Sequence, residues 1–502
     1  MVTIPSATLN GLKALPVSVE GTLHKGLPGF SLVGLAGDAI KESRDRVKSA
    51  LLSSGFTFPP KKVTISLSPS DLQKSGSHFD LPIALAIALH DHRDYRGSEY
   101  IVFGELGLDG SLKSTASLFP LILSLSQTGM TKPLLVPEES APLLRVIPHL
   151  TIYTVSNLSE AVALVTGTLT KDPLPTIPFD AQSLTVNNHT YYYNDTYPLD
   201  FQDIKGQMRA QRAALIAATG FHNILLEGSP GCGKSMTIKR MGHILPPLSH
   251  AELLDTARLE TLDGKTPGFR ALRPFRAPHH SSTRASIFGG GSRESKIGEI
   301  ALAHNGLLYF DELPHYDKTI LEALREPLED HRILISRVNT KIEYPTKFLF
   351  AASQNPCPCG NLLSTTKACR CTDSEIQKYK NRLSDPFLDR IDLFVQMDEP
   401  QENDRPLTSS QQLHQDVLKA FIFRLERGQH DPNGKLPDED LSRYCTLADD
   451  AQHLLTQGAQ RFALSHRAQA KVLRVARTIA DLECSMIITP PHIAEAMGYR
   501  RR

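Results

Sequence analysis

Hydrophobic and polar positions alternate in short runs at the start of the chain, and these runs predict strands interleaved with helices. Residues 63–67 (VTISL) alternate with period two, which is typical of a strand with one buried face. Residues 80–89, with Pro82 in the first turn, predict a helix. Residues 101–103 predict another short strand. We therefore expect residues 1–170 to form an α+β domain.

The apolar runs become continuous in residues 199–400. Residues 223–227, 306–310 and 347–352 are the uninterrupted kind of run found in parallel sheets that are buried on both faces. Helical patterns separate the three runs, so we expect an α/β layered core in this region.

Two further regions complete the predicted multidomain α/β organisation. Residues 171–198 are rich in proline and asparagine, which predicts a linker that could contain a short hairpin. Residues 401–502 are polar at first and then follow a helical pattern, which predicts a C-terminal helical domain.

Composition narrows the class of protein. The 502 residues carry a formal net charge of +1, so any contact with nucleic acid must come from a local basic patch. The longest apolar run, residues 81–89, is about half of the ~20 residues that a membrane-spanning helix needs. No basic segment followed by an apolar core stands at the N-terminus, and the seven cysteines do not resemble a disulfide framework. We therefore expect a cytoplasmic protein without membrane contact.

A glycine-rich segment after the run at 223–227 matches the pattern G-x-x-x-x-G-K-[ST] at every position. Glycines allow backbone N–H groups to surround the nucleotide phosphates, the lysine adds a positive charge, and the final hydroxyl ligates Mg²⁺. A glycine-rich turn without nucleotide is the alternative, but a strand before the pattern and a helix after it favour ATP. The predicted ATP-binding residues are Gly228, Ser229, Pro230, Gly231, Cys232, Gly233, Lys234 and Ser235.

An acidic pair follows the apolar run at 306–310. At the end of a strand beside a phosphate-binding loop, Asp311 could hold the Mg²⁺ shell and Glu312 could polarise the attacking water. An Asp-Glu pair at a strand end is common by itself. The preceding phosphate-binding loop is the reason for assigning this pair a role in ATP hydrolysis.

Three further side chains are candidates for sensing the γ-phosphate. Asn355 follows the run at 347–352 and could position the water, or it could be a turn residue before Pro356. Arg390 could reach a neighbouring subunit's nucleotide as an arginine finger, or it could pair with a nearby aspartate. Arg467, in the C-terminal helical region, is a candidate second sensor.

Four of the cysteines form two C-x-C pairs that nine residues separate. Cys357, Cys359, Cys369 and Cys371 could bind one Zn²⁺ tetrahedrally, or they could remain reduced thiols in a loop. Such a site would have no open coordination position, so we assign it no catalytic role.

Two segments, one rich in glycine and one basic, are candidates for contacts with nucleic-acid phosphates. One is 289–291, near Arg284 and Arg293, and the other is a hairpin of residues 332–337 and 341–344. Solvated surface charge is the alternative for each cation. The candidate phosphate contacts of the hairpin are Arg332, Arg337 and Lys341. His279 and His280 are better explained as loop-shaping residues than as metal ligands.

Long ordered motifs resemble the magnesium-chelatase-like AAA+ ATPases and, within them, the ComM/YifB family of DNA helicases. The motifs are RPFRAPHHSSTRASIFGGG (273–291), GEIALAHNGLLYFDELP (298–314), LREPLEDHRILISR (324–337), NPCPCG (355–360) and RLSDPFLDRID (382–392). GLPGFSLVGLAGDAIKESRDRVKSAL (26–51) and LSHRAQAKVLRVARTIADL (464–482) extend the resemblance over nearly the whole chain.

The resemblance implies a homohexameric ring that hydrolyses ATP with Mg²⁺ between subunits and binds branched or single-stranded DNA without sequence preference. It implies that Asn355 is sensor 1, Arg390 the finger acting in trans and Arg467 sensor 2, and that Gly206 and Gln207 flank the adenine. It implies a structural Zn²⁺ at the four cysteines. The implied function is branch migration during DNA uptake and homologous recombination. The implied domains are a Lon-protease-like 1–170, a linker 171–198, an AAA+ core 199–400 and a helical lid 401–502.

The Lon-type proteases need a nucleophilic serine and a lysine base. His78 stands where the serine would be, flanked by Ser75 and Ser77, and Phe119 falls nearest the position of the base. The nearby lysine is Lys113. We therefore expect no peptidase activity.

Two other functions remain open at this point. One is the motor subunit of a magnesium chelatase, against which the N-terminal domain argues, and the other is an AAA+ chaperone that remodels proteins. DNA-stimulated ATP hydrolysis would separate both from a DNA motor.

Overall fold

The computed structural model of the protein describes residues 1–92, 95–290, 296–336 and 341–501. The chain divides into two compact units. The first comprises Met1–Asp180, Ala257–Phe269 and Thr340–Ile342, and the second comprises Ala181–Thr256, Arg270–Asn339 and Glu343–Arg502. Of the helices in the described residues, none is both long and apolar enough to cross a membrane.

The chain up to residue 180 alternates strands and helices. The strands are β1 (Val2–Asn10), β2 (Lys13–His24), β3 (Gly29–Val33), β4 (Lys62–Ser68), β5 (Ile101–Val102), β6 (Glu105–Leu106), β7 (Leu112–Lys113), β8 (Leu134–Pro137) and β9 (Ile152–Val155). The helices are α1 (Asp38–Lys41), α2 (Ser43–Ser53), α3 (Asp80–Ala88), α4 (Leu118–Ser126), α5 (Ala141–Leu144) and α6 (Leu158–Val165).

The first unit is built on a mixed sheet with the order β1-β2-β4-β3, in which only β3 and β4 run parallel. A parallel sheet, β5-β8-β9, and the small pair β6-β7 accompany it. Helix α3 is buried along almost its whole length, because its sequence DLPIALAIA offers apolar side chains on every face. The strand and helix expected at 63–67 and 80–89 are confirmed as β4 and α3.

From residue 181 onward the chain adds the remaining elements. The strands are β10 (Gln182–Val186), β11 (His189–Tyr193), β12 (Ile224–Glu227), β13 (Leu248–Ser249), β14 (Phe275–Arg276), β15 (Gly289–Gly290), β16 (Lys296–Ile297), β17 (Leu307–Phe310), β18 (Arg332–Ser336), β19 (Lys341–Pro345), β20 (Leu349–Gln354) and β21 (Leu393–Gln396). The helices are α7 (Met208–Gly220), α8 (Lys234–Met241), α9 (His250–Leu262), α10 (Arg284–Phe288), α11 (Glu299–Leu302), α12 (Lys318–Ala323), α13 (Arg325–Glu329), α14 (Asp373–Lys380), α15 (Asp385–Leu388), α16 (Ser410–Glu426), α17 (Leu441–Tyr444), α18 (Asp449–Arg461), α19 (His466–Leu482) and α20 (Pro490–Gly498).

The second unit contains a parallel five-stranded sheet with the order β14-β17-β20-β12-β21. The three continuous apolar runs of the sequence form its central strands β17, β20 and β12, which confirms the expected α/β core. Because parallel strands end at one edge of a sheet, the segments after Glu227, Phe310 and Gln354 meet at that edge.

Helices cover the sheet and extend to the C-terminus. In α19 the apolar residues Val472, Val475, Ala476 and Ile479 lie in the same hydrophobic core as α7 and β12. The predicted linker contains the hairpin β10-β11, which β13 extends to three strands. The mixed α/β multidomain class is confirmed, whereas the likeness of residues 1–170 to Lon-type proteases and the exact domain limits stay predictions.

Candidate functional site

The phosphate-binding loop connects β12 to α8, which begins at Lys234. Gly231 and Gly233 have φ of 87° and 97°, a region that is costly for residues with a side chain. The Lys234 Nζ donates hydrogen bonds to the Gly228 carbonyl at 2.6 Å and to the Ser229 carbonyl at 3.0 Å. The predicted ATP-binding residues 228–235 thus form the turn after β12 and the first two residues of α8, at the carboxyl edge of the sheet.

Asn355 stands at the same edge, directly after β20. Its Oδ1 accepts a hydrogen bond from Lys234 Nζ at 3.2 Å. The structure therefore brings together two of the predicted site residues that are 121 positions apart in sequence. The location fits a side chain that would contact the γ-phosphate held by Lys234.

The predicted magnesium ligands also meet. Ser235 Oγ donates to Asp311 Oδ2 at 3.1 Å. Burial alone would raise the pKa of Asp311, but hydrogen bonds from Ser353, Tyr309 and Ser235 outweigh it and hold the pKa below its usual value. An ionised carboxylate next to a hydroxyl is the oxygen-donor set that Mg²⁺ prefers, so these residues fit the ion.

Tyr309 and Ser353 are two site residues that sequence reasoning missed. The Tyr309 hydroxyl donates to Ser235 Oγ at 3.0 Å, and the Ser353 hydroxyl donates to Asp311 Oδ1. They support the predicted magnesium ligands through hydrogen bonds from the strands β17 and β20. The only sequence signal was a polar side chain one position before the end of each strand.

Glu312 follows Asp311 with φ of 51°, in the left-handed region. Its backbone N–H donates to Asp311 Oδ1 at 3.1 Å, and its side chain is exposed. Of the two carboxylates, Asp311 is the one that accepts a hydrogen bond from Ser235. This is the arrangement needed if one acid holds the metal and the other acts on water.

The two predicted sensing arginines lie together rather than at the phosphate loop. Arg390 Nη2 donates to Glu329 Oε2, and Arg467 Nη2 is 2.9 Å from Glu329 Oε1. The alternative for Arg390 was an ion pair with Asp389 or Asp392. That choice of partner is wrong, because the acid that Arg390 contacts is Glu329. The structure does not bring Arg390 or Arg467 to Lys234.

The segment predicted to flank adenine precedes α7. Gly206 and Gln207 both have positive φ, 62° and 56°. The Gln207 Nε2 donates to the Asp398 carbonyl at 2.6 Å. Their contact with adenine stays a prediction.

The four cysteines converge. All four Sγ atoms lie within 4.8 Å of one another, and Cys357, Cys359 and Cys369 are separated by 3.5 to 3.7 Å. Four sulfurs around Zn²⁺ at ~2.3 Å would be about 3.8 Å apart, so the spacing fits a tetrahedral ion. Backbone N–H groups of Arg370 and Asn361 lower the pKa of Cys359 to about 6. For Cys369 and Cys371 a backbone hydrogen bond lowers the pKa, but burial and the neighbouring Cys357 and Cys359 outweigh it and raise the pKa.

The cysteine loop also contacts the phosphate loop. Gly360 has φ of 80°, and a Cβ at this position would lie 2.6 Å from Pro230 Cδ. Only a residue without a side chain fits against the proline. The predicted metal site and the predicted ATP site are therefore neighbours.

The predicted DNA-contacting segments are only partly described. Gly289 and Gly290 form β15, which pairs with β16, and Arg284 begins α10. β18 and β19 form a two-stranded hairpin. In it Arg332 and Glu343, both more than half exposed, are 3.6 Å apart. Gly291, Arg293, Arg337 and the hairpin tip lie outside the described residues.

The remaining candidates have local roles. His279 Nδ1 is 2.7 Å from Ser281 Oγ, and within the described residues the metal-capable group consists of the four cysteines without either histidine. In the first unit, His78 is buried and its Nε2 lies 3.0 Å from the Ala7 carbonyl oxygen. Phe119 is buried in α4, and Lys113 is exposed in β7.

Three family models match consecutive parts of the chain. "Subunit ChlI of Mg-chelatase" matches residues 19–140, "Magnesium chelatase, subunit ChlI" matches 200–405, and the C-terminal model of the same subunit matches 407–500.

Curated proteins match over greater lengths. The competence protein ComM of Haemophilus influenzae is 38% identical over 500 residues, which covers 98% of this chain and 95% of that protein. The protein YifB of Escherichia coli K12 is 36% identical over the same shares of the two chains. The magnesium-chelatase 67 kDa subunit of Heliobacterium mobile is 22% identical over 59% of this chain and 46% of that subunit.

Proposed function

Because the chain belongs to the ComM/YifB family of magnesium-chelatase-like AAA+ proteins, we propose that it is an ATP-driven DNA motor that promotes branch migration. ATP hydrolysis is the activity that the family suggests, and DNA uptake and homologous recombination are the processes that the competence relative suggests. The motor would act as a homohexameric ring, with each ATP between two subunits.

One observation carries the proposal. Lys234, Asn355 and the Ser235–Asp311 pair converge where parallel strands end, and this arrangement supports binding of ATP with Mg²⁺. In the proposed roles, backbone N–H groups of 228–235 and Lys234 bind the phosphates, and Asp311 with Ser235 orients the metal. The bound Mg²⁺ would neutralise charge that develops on the phosphates. Glu312 takes a proton from the attacking water, which Asn355 positions.

The proposed DNA contact is the hairpin of β18 and β19, together with the segment at 289–291. Arg332, Arg337 and Lys341 would bind phosphates, because they are cationic and no cluster of aromatic side chains accompanies them in this sequence. Binding would then be independent of DNA sequence and would weaken steeply as salt rises.

The test is ATP turnover measured with four-way, forked and no DNA. We expect DNA to stimulate turnover, with the four-way junction giving the greatest effect, and we expect ATP-dependent conversion of the junction to duplex products. The variant R332A/R337A/K341A should lose the stimulation and the conversion. The control K378A/K380A/K419A removes three exposed cations outside the hairpin and should behave as wild type. An ATP turnover rate that is the same with and without each of these DNAs would contradict the proposal.

A second candidate is the motor subunit of a magnesium chelatase. The family models favour it, because all of them are described as magnesium-chelatase subunits. One of these models matches residues 19–140, so the N-terminal region does not decide between the two candidates. The ComM match extends over the whole chain, and we therefore favour the DNA motor. ATP turnover stimulated by a porphyrin and partner subunits, but not by DNA, would favour the chelatase.

We further propose a structural Zn²⁺ at Cys357, Cys359, Cys369 and Cys371, and a cytoplasmic location. The sulfur spacing supports the first proposal. The second is supported by the seven cysteines, all of which are free thiols. The Lon-like assignment of residues 1–170, without a peptidase dyad, is likewise proposed.

A further inference from the structure

A single carboxylate bridges the two proposed sensing arginines. Glu329 ends helix α13. Its Oε2 accepts a hydrogen bond from Arg390, and its Oε1 lies 2.9 Å from Arg467 Nη2 in an ion pair. Burial would raise the pKa of Glu329, but the two guanidinium groups outweigh it and hold the pKa below its usual value. The two arginines are thus held as a pair by a negatively charged group.

The backbone around Arg390 is fixed to the helix that carries Arg467. Lys471 lies one turn further along α19 and is 8% exposed. Its Nζ donates to the Asp389 carbonyl and, at 3.2 Å, to the Ile391 carbonyl, so it contacts the backbone on both sides of Arg390. Movement of α19 would therefore carry both arginines together.

Glu329 is also joined to the base of the hairpin. Strand β18 begins three residues after Glu329, and the Thr346 backbone N–H donates to the His331 carbonyl at 2.7 Å. The Thr346 hydroxyl donates to the Pro327 carbonyl, within α13, at 3.2 Å. The helix that presents Glu329 is thus bonded to the segment that follows β19.

The remaining donors of the arginines suit a phosphate. Each guanidinium has five N–H donors, and a carboxylate that occupies one of them leaves others for a second anion. The Arg467 side chain is 41% exposed. The Arg390 side chain is 11% exposed, and its Nη1 also donates to the Pro386 carbonyl. Arg467 is therefore the arginine that a γ-phosphate would reach first, while Glu329 keeps Arg390 oriented beside it.

We propose that Glu329 is a positioning residue that holds Arg390 and Arg467 as one unit, which binds the ATP of the neighbouring subunit. Because α13 is bonded to the base of the hairpin, binding of that ATP would also move the hairpin. The inference rests on the proposed function, because it requires ATP between subunits. Glu329 does not touch the nucleotide, and it acts through the two arginines.

The first test compares E329A and E329Q with the control E326Q. Glu326 lies on the same helix, is exposed, and its side chain forms no hydrogen bond or ion pair with the described residues. We expect kcat for ATP to fall about 10- to 100-fold in E329A, less than the ~10³-fold or more that an arginine finger contributes. KM should change less than about threefold, because Lys234 and its loop bind the ground state. E329Q keeps one acceptor oxygen and should lose less.

The second test mixes an inactive variant, K234A, with the impaired variant E329A. In mixed rings, a K234A subunit presents intact, correctly held arginines to the ATP bound by an adjacent E329A subunit. We expect mixing to restore ATP turnover, whereas misfolding of E329A could not be rescued by a neighbour. The Glu329 and Arg467 side chains are 42% and 41% exposed, and an exposed ion pair adds little to folding stability. E329A should therefore assemble as wild type does, which gel filtration checks.

The outcomes separate this inference from the proposed function. Wild-type protein that neither assembles nor hydrolyses ATP would refute the proposed motor. The role of Glu329 is wrong if wild type is active and E329A has an unchanged kcat. It is also wrong if mixed rings of folded subunits turn over ATP no faster than the two variants do separately. A fall in kcat for E326Q equal to that for E329A would also overturn it, because the effect would not depend on the arginines.

Discussion

Glu312 occupies a backbone conformation that residues with side chains seldom adopt. Its φ of 51° costs roughly 1 kcal/mol or more in a non-glycine residue. The hydrogen bonds of its N–H to Asp311 and Ser353 hold the turn in place. The Glu312 carboxylate is exposed, so water can reach it.

We expect Glu312→Gln to bind ATP with nearly wild-type affinity and to lose about 10²- to 10⁴-fold in turnover, the usual contribution of a general base. A fluorescent ATP analogue measures binding, and phosphate release measures turnover. Because ATP would stay bound between subunits, light scattering should show assembled rings that persist. Undiminished turnover would show that Glu312 is not the base.

At the scale of elements, the cysteine loop continues strand β20 beyond Asn355. Cys357 follows two residues later, and Gly360 packs on Pro230 of the phosphate loop. A metal bound by the four thiolates would fix this loop at both of its ends. The order of the loop and the position of Asn355 are therefore linked.

We expect protein purified without added metal to contain one zinc ion per chain by elemental analysis. C359S/C369S should lose the zinc. Because the ion binds only the folded state, the free energy of unfolding should then fall by at least about 1 kcal/mol, which urea titration measures. C484S, which changes an exposed cysteine outside the cluster, is the control. Folded, active and zinc-free wild type would argue against a structural metal.

The elements that sequence predicted best are those whose pattern is local. Strands β4, β12 and β17 follow from short hydrophobic runs, and the phosphate loop follows from its glycines and lysine. The contacts of Tyr309, Ser353 and Glu329 could not be predicted, because they depend on strand register and on the packing of helices distant in sequence. Arg390 and Glu329, for example, are 61 residues apart. The motif around Arg390 indicated a functional arginine, but no sequence pattern identified Glu329 as its partner.

At the scale of the whole molecule, both units contain histidines that burial keeps neutral. Burial lowers the pKa of His78 in the first unit to about 4, and it does the same for His222 and His414 in the second. In the unfolded chain each would titrate near 6.5. Between these values the unfolded state binds more protons, so acid favours unfolding.

We expect the free energy of unfolding to fall as pH drops from about 6.5 towards 4, by up to about 1.4 kcal/mol per pH unit for each such histidine. Urea titrations at several pH values measure this dependence. H414Q should make it less steep, whereas H453Q, at an exposed position, should leave it unchanged. A slope that is the same in all three proteins would mean that the pKa of His414 is the same in the folded and unfolded states.

The contact between Gly360 and Pro230 constrains which parts of the chain can be exchanged with relatives. A transplanted cysteine loop that brought any larger residue to position 360 would collide with Pro230 and push on the turn before Lys234. A chimera should therefore take residues 228–235 and 357–371 from the same donor. The two segments are far apart in sequence, yet a substitution in one constrains the residues that the other can accept.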